Sequence, residues 1–260
     1  MKLRERLQDA RTLLLDGAMG TELQKYEPGA SDYPDGKTGF NDGLCITHPE
    51  WVQSVYRSYL EAGADCLTTN TFGSNTIKLD EYGLGADTEK INEGAARLAR
   101  EVADSFSEPQ RYVVGSMGPT GYLPSITHKP EEEISLDVVE DAFYRQAVGL
   151  VRGGVDGLVL ETSVDLLELR TAIRAARRAD KHVPILANIT LAQAGRMLLG
   201  TPIEAAYTTV SDMGIDAFGI NCSTGPLEME DCILWLDGSA THPILVVPNA
   251  GIPDISEVDG

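Results

Sequence analysis

Three side chains that could bind a charged group or a metal follow short apolar runs of the sequence. Asp16 and Glu161 each directly follow such a run, and Cys222 lies two residues after a third. Two carboxylates that meet at one place suit a substrate ammonium group through charge-assisted hydrogen bonds. A cysteine thiolate is both a nucleophile and a metal ligand. These three residues are therefore the first candidates for a functional site.

Each of these residues also has an ordinary structural interpretation. Asp16 could cap a helix, Glu161 could form a structural salt bridge, and Cys222 could be a buried apolar cysteine, which is the usual state of a free one. The spacing alone favours this last interpretation for Cys222. Both alternatives stay open for the two acids.

Turn residues near these positions could bind the carboxylate group of a substrate. Gly17 permits close approach of the backbone, and the turn that contains Asn70 and Thr71 could point its N–H groups at an anion. A plain turn is the alternative for these residues. Asn221 precedes Cys222 and could fix its loop behind a metal ligand, or could be a simple cap.

Seven short apolar runs alternate with amphipathic stretches and position these candidates. The runs are too short for helices and nearly all apolar, as expected for strands buried on both faces of a parallel sheet. Three copies of Gly-x-Asp, at 63–65, 154–156 and 214–216, each lead from a helical pattern into a run. The predicted strands are residues 12–15, 66–69, 112–115, 157–160, 185–189, 217–220 and 244–247.

The repeated α/β unit favours a TIM (β/α)8 barrel over a doubly wound sheet. No GxGxxG follows the first predicted strand, and polar residues follow almost every strand, as at the mouth of a barrel. Residues 27–41 form a long loop that we expect over the mouth or on the flank. With seven strands predicted, we expect residues 1–260 to be one barrel domain that is truncated before the eighth strand–helix unit.

Composition and charge exclude several classes of partner. The 260 residues include 40 acidic and 21 basic side chains, a formal net charge of −19, which disfavours nucleic acid and anionic membranes. No apolar run approaches the roughly 18 residues of a membrane span, and the charged N-terminus lacks the core of a secretory signal. Four cysteines without a close pair do not form a disulfide framework, so we expect a cytoplasmic protein.

Six short motifs follow one another along the chain at the predicted strand ends. They are DGAMGT at 16–21, TNTF at 69–72, GPTG at 118–121, ET at 161–162, GINC at 219–222 with GP at 225–226, and PNAG at 248–251. In this order they resemble the homocysteine S-methyltransferase family, and most of all the homocysteine-binding modules of cobalamin-dependent methionine synthases. The resemblance runs from about residue 10 to residue 255.

The resemblance implies a zinc-dependent methyltransferase that methylates the sulfur of homocysteine to give methionine. In the family, three cysteines hold the zinc; Cys222 matches the first, and the other two are an adjacent pair that we expect beyond Gly260. The substrate amino group is implied to lie near Asp16 and Glu161. Cobalamin and methyltetrahydrofolate are implied for separate modules or subunits of the wider enzyme, and not for this chain.

Two other functions remain open at the level of sequence. One is a metal-free, non-catalytic barrel that serves as a binding or scaffold subunit. The other is a methyltransferase that uses a different methyl donor without cobalamin. Metal analysis separates the first from an enzyme, and an assay with candidate methyl compounds addresses the second.

Overall fold

The computed structural model describes residues 1–126, 134–192 and 195–250, so that Gly251 of the last motif lies outside the described residues. The helices are α1 Leu3–Leu7, α2 Met19–Gln24, α3 Leu44–Thr47, α4 Pro49–Glu61, α5 Thr76–Asp80, α6 Thr88–Asp104, α7 Leu136–Arg152, α8 Leu166–Ala179, α9 Ile203–Val210 and α10 Pro226–Ser239. The strands are β1 Cys66–Thr68, β2 Tyr112–Met117, β3 Gly157–Ser163, β4 Ile185–Ile189, β5 Ala217–Asn221 and β6 Ile244–Val247.

The six strands form one parallel sheet in which each strand pairs with the next along the chain. Side chains on one face of every strand from β1 to β6 belong to a single buried cluster. This face is therefore the inside of a curled half-barrel, and the helices that contact the sheet lie outside it. The predicted α/β class with parallel strands is confirmed.

The first predicted strand, residues 12–15, is wrong for the described structure. Only Leu15 forms an isolated parallel bridge, which joins β1. The Arg6 guanidinium donates to the Thr12 carbonyl oxygen at 2.8 Å, so the start of this run bonds to a side chain. Its backbone bonds to β1 are made by the Leu14 carbonyl oxygen, which accepts from the Cys66 N–H at 3.1 Å, and by the Asp16 N–H. The described sheet therefore has six strands and one bridge where the sequence predicts seven strands.

The three Gly-x-Asp repeats have a shared structural role. Gly63, Gly154 and Gly214 adopt φ values of 108°, 90° and 77°, a left-handed conformation that ends a helix and favours glycine. The aspartate that follows accepts a hydrogen bond from an N–H at the start of the preceding run. The pairs are Asp65 with Leu14 at 3.0 Å, Asp156 with Val113 at 2.8 Å and Asp216 with Ile185 at 3.0 Å.

Strand residues alternate between the helix-facing side and the inside of the sheet. In β4, Ile185, Ala187 and Ile189 belong to the large cluster between sheet and helices. Leu186 belongs to the inner cluster instead. The same alternation places Asn188 on the inside, two residues after Leu186 and next to the carboxyl end of β4.

The amino-terminal helix closes the bottom of the curled sheet. Leu3 of α1 is buried among the inner side chains, and a Cβ on Gly157 would lie only 2.7 Å from Leu3 Cδ2. The open end is therefore the one formed by the carboxyl ends of the strands. Among the described helices, none is long and apolar enough to cross a membrane.

Candidate functional site

The inner face of the sheet changes from apolar to polar along the strands. Near the amino ends the inner side chains are mostly aliphatic and buried, and they include Val114, Val159, Leu186, Ala217 and Leu245. Near the carboxyl ends, strand alternation brings polar side chains to the inside: Thr68, Ser116, Glu161, Asn188 and Asn221. We call this polar layer, together with Asp16, the mouth. Ligands of parallel α/β sheets bind at this end.

Asp16 is fixed to β1 at the mouth by three hydrogen bonds. Its N–H donates to the Cys66 carbonyl oxygen at 2.9 Å, and its carboxylate accepts from the Thr68 N–H and hydroxyl, each at 2.8 Å. Burial raises the pKa of Asp16 to about 7 against the opposing effect of the Thr68 bonds, and the charge of Glu161 raises it further. Asp16 therefore lies within electrostatic reach of Glu161, as the sequence predicts.

Glu161 lies near the carboxyl end of β3, where the pairing with β4 shifts register. The Ser116 hydroxyl of β2 donates a short hydrogen bond to Glu161 Oε1. Burial raises the pKa of Glu161, and the Ser116 bond only partly opposes this. The carboxylate is thus held by a neutral donor, which leaves its charge available to a cation.

Sequence reasoning missed a third acid, Asp42, in the loop that precedes α3. Its carboxylate accepts from the Gly73 N–H at 2.8 Å and from the Ser74 hydroxyl at 2.7 Å. Burial raises the pKa of Asp42 to about 6, and Glu161 contributes to the rise. Asp42 thus ties this loop to the turn after β1. An Asn-Asp-Gly turn in the sequence gives no signal that distinguishes this role from a plain turn.

The mouth acids share one electrostatic property. Within the described ranges, no lysine or arginine lies within 4.0 Å of the carboxylates of Asp16, Asp42 or Glu161. Buried carboxylates normally need a paired cation, because desolvation penalises their charged form. An ammonium group of a ligand would supply the missing positive charge.

Cys222 lies at the carboxyl end of β5 and is joined to β3 by Asn221. The Asn221 carboxamide accepts from the Thr162 N–H at 2.8 Å and donates to the Thr162 hydroxyl at 2.9 Å. It also donates to Cys222 Sγ at 3.2 Å, and the Thr162 hydroxyl lies 3.7 Å from the same sulfur. Because Thr162 directly follows Glu161, the thiol and the carboxylate belong to the same mouth.

Backbone strain accompanies this arrangement. Thr162 and Cys222 have φ values of 59° and 60°, and Ser223 has 68°. Left-handed backbone at residues other than glycine costs on the order of 1–3 kcal/mol each and clusters at functional sites. The Asn221 carboxamide, which is fully buried, compensates by bonding to the backbone and side chain of Thr162. The left-handed backbone at Thr162 and Cys222, held by Asn221, therefore sets the position of the Cys222 thiol.

The N–H groups of the turn after β1 are not the open anion site that the sequence predicts. The Asn70 N–H donates to Tyr56 Oη at 2.8 Å, and the Thr71 N–H donates to the Thr69 carbonyl oxygen at 2.9 Å. The Thr71 side chain is fully buried, and its hydroxyl donates to the Ser116 carbonyl oxygen at 2.8 Å. These groups form hydrogen bonds within the chain and so hold the turn in place.

Gly17 lies on the exposed rim beside Tyr59. A Cβ at Gly17 would meet Tyr59 Oη at 2.7 Å, and this hydroxyl donates to the Ala18 carbonyl oxygen at 3.2 Å. Close packing therefore explains the glycine without a ligand. Within the described ranges the Gly17 and Phe72 N–H groups have no acceptor, so they are the backbone donors still available at the rim.

The other cysteines lie away from Cys222. Cys45 contacts Asn70, with its Sγ 3.6 Å from the carboxamide nitrogen, and burial and then Asp42 raise its pKa to about 12. Cys66 belongs to the inner apolar layer, where burial raises its pKa well above the usual range. Cys232 lies in α10. In the part of the chain that the structure describes, no three His, Cys, Asp or Glu side chains are grouped to hold a metal.

The residues present fit one position of a thiolate metal site. Cys222 is partly exposed at the mouth and its sulfur accepts a hydrogen bond from a neutral amide. Such donors stabilise a thiolate without neutralising it. A second and a third ligand are not among the described residues.

Three kinds of comparison place the chain among known proteins. The sequence profile of the homocysteine S-methyltransferase family matches residues 13–259. Methionine synthases of Mycobacterium tuberculosis and Mycobacterium leprae are each 40% identical to the chain over 249 residues, which is 94% of this chain and 20% of each relative. The chain therefore spans about a fifth of the length of the curated relatives it matches.

Solved structures share the fold. The metallated form of the Escherichia coli homocysteine methyltransferase MmuM superposes with a TM-score of 0.81 at 22% identity, over 95% of this chain and 86% of that one. Its apo form gives 0.74 at 23% identity, with the same coverage. At these identities the likeness concerns the fold alone.

Proposed function

The chain belongs to the homocysteine S-methyltransferase family, and on this premise we propose that it binds homocysteine at the mouth and methylates its sulfur to give methionine. The family resemblance predicted from the six motifs is confirmed. The observation that supports the proposal is that Asn221 bonds both to Thr162, the residue after Glu161, and to the Cys222 thiol at one end of the sheet, where Glu161 has no lysine or arginine partner among the described residues. A carboxylate and a metal-ligating thiol match the two ends of homocysteine.

We propose that Asp16 and Glu161 bind the substrate ammonium group. Both carboxylates face the mouth without a lysine or arginine partner among the described residues, and each has a raised pKa. Arrival of an ammonium group would restore the charged form of both acids, because an opposite charge favours ionisation. Asp42 would support this site by holding the turn after β1.

We assign the substrate carboxylate to backbone donors of the rim. Gly17 keeps its predicted role, since its N–H has no acceptor among the described residues. Asn70 and Thr71 would act by fixing the turn. The next N–H of this turn, that of Phe72, has no acceptor in the described part of the chain. Oriented N–H groups at such a turn form a favourable anion site.

We propose that Cys222 is one zinc ligand and that two further cysteine ligands lie beyond Gly260. When bound, zinc would hold the homocysteine sulfur as a thiolate and so make it a nucleophile at neutral pH. Asn221 and Thr162 would keep the Cys222 sulfur aimed at the mouth. The substrate thiol needs a metal to ionise at neutral pH, because a free thiol has a pKa of roughly 8.5.

We propose that residues 1–260 belong to a single homocysteine-binding domain. The curled half-barrel would be part of the (β/α)8 barrel of this domain. An eighth strand would fit between β6 and Leu15, since Val246 of β6 is 37% exposed and Leu15 forms only a bridge. Methyl-cobalamin recharged by methyltetrahydrofolate is the proposed donor, carried by other modules or subunits. We also retain the expectation of a cytoplasmic protein.

The test uses the full-length gene product and measures both metal content and methionine formation. We expect about one zinc per chain and methionine from homocysteine and methyl-cobalamin. Cys222→Ala should lose the zinc and the activity together. Cys232→Ala, in helix α10, is the matched control and should keep both.

Two results would contradict the proposal. A protein without zinc that forms no methionine from any methyl donor would fit the scaffold function. Methionine formation from a methylated sulfur or nitrogen compound, but not from methyl-cobalamin, would keep the site and replace the donor.

A further inference from the structure

Asn188 is a mouth residue to which the proposed function gives no role. It lies on the inside of β4, between the strand that carries Glu161 and the strand that carries Asn221. Its side chain is only 1% exposed. Its Oδ1 atom is buried and has no hydrogen-bond partner among the described residues.

The other polar side chains of the mouth are paired with one another. Thr68 bonds to Asp16, Ser116 bonds to Glu161, and Asn221 bonds to Thr162 and Cys222. A buried carbonyl oxygen without a donor costs about 1–3 kcal/mol. A side chain of similar size without polar atoms would avoid that cost, so the fold gives no reason for an amide at this position.

The local backbone leaves room for this oxygen. Asn188 pairs in register with Gly219 of β5. A Cβ on Gly219 would overlap the Leu245 carbonyl oxygen and lie 2.8 Å from Asn188 Oδ1, so the close approach of the β6 backbone already requires the glycine. The Asn188 oxygen occupies the space beside this glycine on the inner face, in the same layer as Glu161.

We propose that Asn188 is a specificity-determining residue that accepts a hydrogen bond from the substrate ammonium group through Oδ1. An ammonium group has three N–H donors, and Asp16 and Glu161 satisfy two of them in the proposed function. Asn188 supplies the third acceptor without adding another negative charge to a site that already holds two. This inference rests on the proposed function, because it concerns the same substrate.

The test compares homocysteine with 4-mercaptobutanoate, which is homocysteine without its amino group. Dissociation constants are measured by calorimetry on the zinc-loaded full-length gene product. Asn188→Leu should weaken homocysteine binding about 10- to 100-fold, the usual effect of one hydrogen bond to a charged group. It should change 4-mercaptobutanoate binding by less than about 3-fold. Asn188→Asp keeps an acceptor and should retain most of the homocysteine affinity.

Asn92→Leu is the matched control. Asn92 is also a buried asparagine whose Oδ1 has no partner in the described part of the chain, but it lies in α6, where its Nδ2 donates to the Ser74 and Thr88 carbonyl oxygens. This substitution should lower the melting temperature and leave the ratio of the two dissociation constants unchanged. If Asn188→Leu does not fold, Asn188→Ala also removes the acceptor and gives the same comparison.

The outcomes separate this inference from the proposed function. Equal losses for both ligands in Asn188→Leu, or no loss for either, would overturn the role of Asn188 while homocysteine binding by the unaltered protein would still stand. No homocysteine binding by the unaltered protein would overturn both.

Discussion

Carboxylates at the two ends of the curled sheet have opposite surroundings. At the amino end, the aspartates of the three Gly-x-Asp repeats accept a backbone N–H and pair with an arginine. The ion pairs are Asp65 with Arg11 at 3.4 Å, Asp156 with Arg100 at 2.7 Å and Asp216 with Arg177 at 3.1 Å. At the mouth, the donors to Asp16 and Glu161 among the described residues are all neutral.

The pKa shifts follow this difference. Burial would raise the pKa of Asp216, but hydrogen bonds from Arg4 and the Ile185 N–H outweigh it, so that the pKa is lowered. Burial raises the pKa of Asp16 to about 7 and also raises that of Glu161. The amino-end acids therefore serve the fold, whereas the mouth acids are costly to the fold and suited to a ligand.

Glu161→Gln should have the largest effect on the ligand. Removal of a charge partner for the substrate ammonium group should weaken homocysteine binding by about 100-fold. The free energy of unfolding should not fall, because a partly buried carboxylate without a cationic partner among the described residues is removed. Calorimetry and urea unfolding measure the two quantities. A large loss of stability with unchanged affinity would show that Glu161 stabilises the fold, as the amino-end aspartates do, and does not bind the substrate.

Asp216→Asn should give the opposite result. The Asp216 side chain is 12% exposed, and loss of its charge weakens bonds to Arg4 and Arg177. The free energy of unfolding should fall by about 2 kcal/mol, as measured by urea unfolding. The homocysteine dissociation constant should change by less than about 2-fold. A change comparable with that of Glu161→Gln would remove the distinction between the two ends.

Asp16→Asn should alter the pH dependence of stability. The folded protein keeps the Asp16 proton up to about pH 7, whereas the unfolded chain releases it near 3.9. Asp16 therefore lowers stability progressively as pH rises from about 4 to about 7. The variant should gain about 4 kcal/mol relative to wild type at pH 8 and nothing at pH 3, because the pKa differs by about three units between the folded and unfolded chain and each unit corresponds to about 1.4 kcal/mol.

The difference between the two proteins is the quantity to measure, by thermal or urea unfolding at several pH values. Asp42 titrates in both proteins, so its contribution largely cancels in the difference. Glu161 interacts with Asp16, so the difference reports on the two acids together. A constant difference from pH 3 to pH 8 would show that the pKa of Asp16 is not raised.

Gly17→Ala should have the smallest effect. The added Cβ would meet the Tyr59 ring, which is partly exposed and can rotate away, so the cost should be about 1 kcal/mol of unfolding free energy. Homocysteine affinity should change by only a few fold if the Gly17 N–H keeps its position. A loss of affinity above 30-fold without a loss of stability would give Gly17 a larger part in binding.

Sequence patterns predicted the features that depend on local chemistry. Short apolar runs gave six of the strands, because strands buried on both faces have no polar alternation. Glycine at positions 63, 154 and 214 predicted helix ends, since only glycine enters left-handed backbone without strain. The positions of Asp16, Glu161 and Cys222 at one end of the sheet follow from the rule that parallel strand ends converge.

The remaining features depend on contacts between distant segments, which a single sequence does not contain. The engagement of the Asn70 N–H by Tyr56, 14 residues away, is one case. The isolated bridge at Leu15 is another, because the Arg6 guanidinium bonds to the Thr12 carbonyl oxygen at the start of this run. The lack of a partner for Asn188 emerges only when all its neighbours have been placed.

The most direct test of substrate binding at the mouth is a crystal structure of the zinc-loaded full-length gene product with homocysteine. We expect the substrate nitrogen within about 3.2 Å of Asp16 and Glu161 carboxylate oxygens, with the sulfur on a zinc that Cys222 also binds. Homocysteine bound elsewhere, or a sulfur remote from Cys222 with the mouth carboxylates still unpaired, would contradict it.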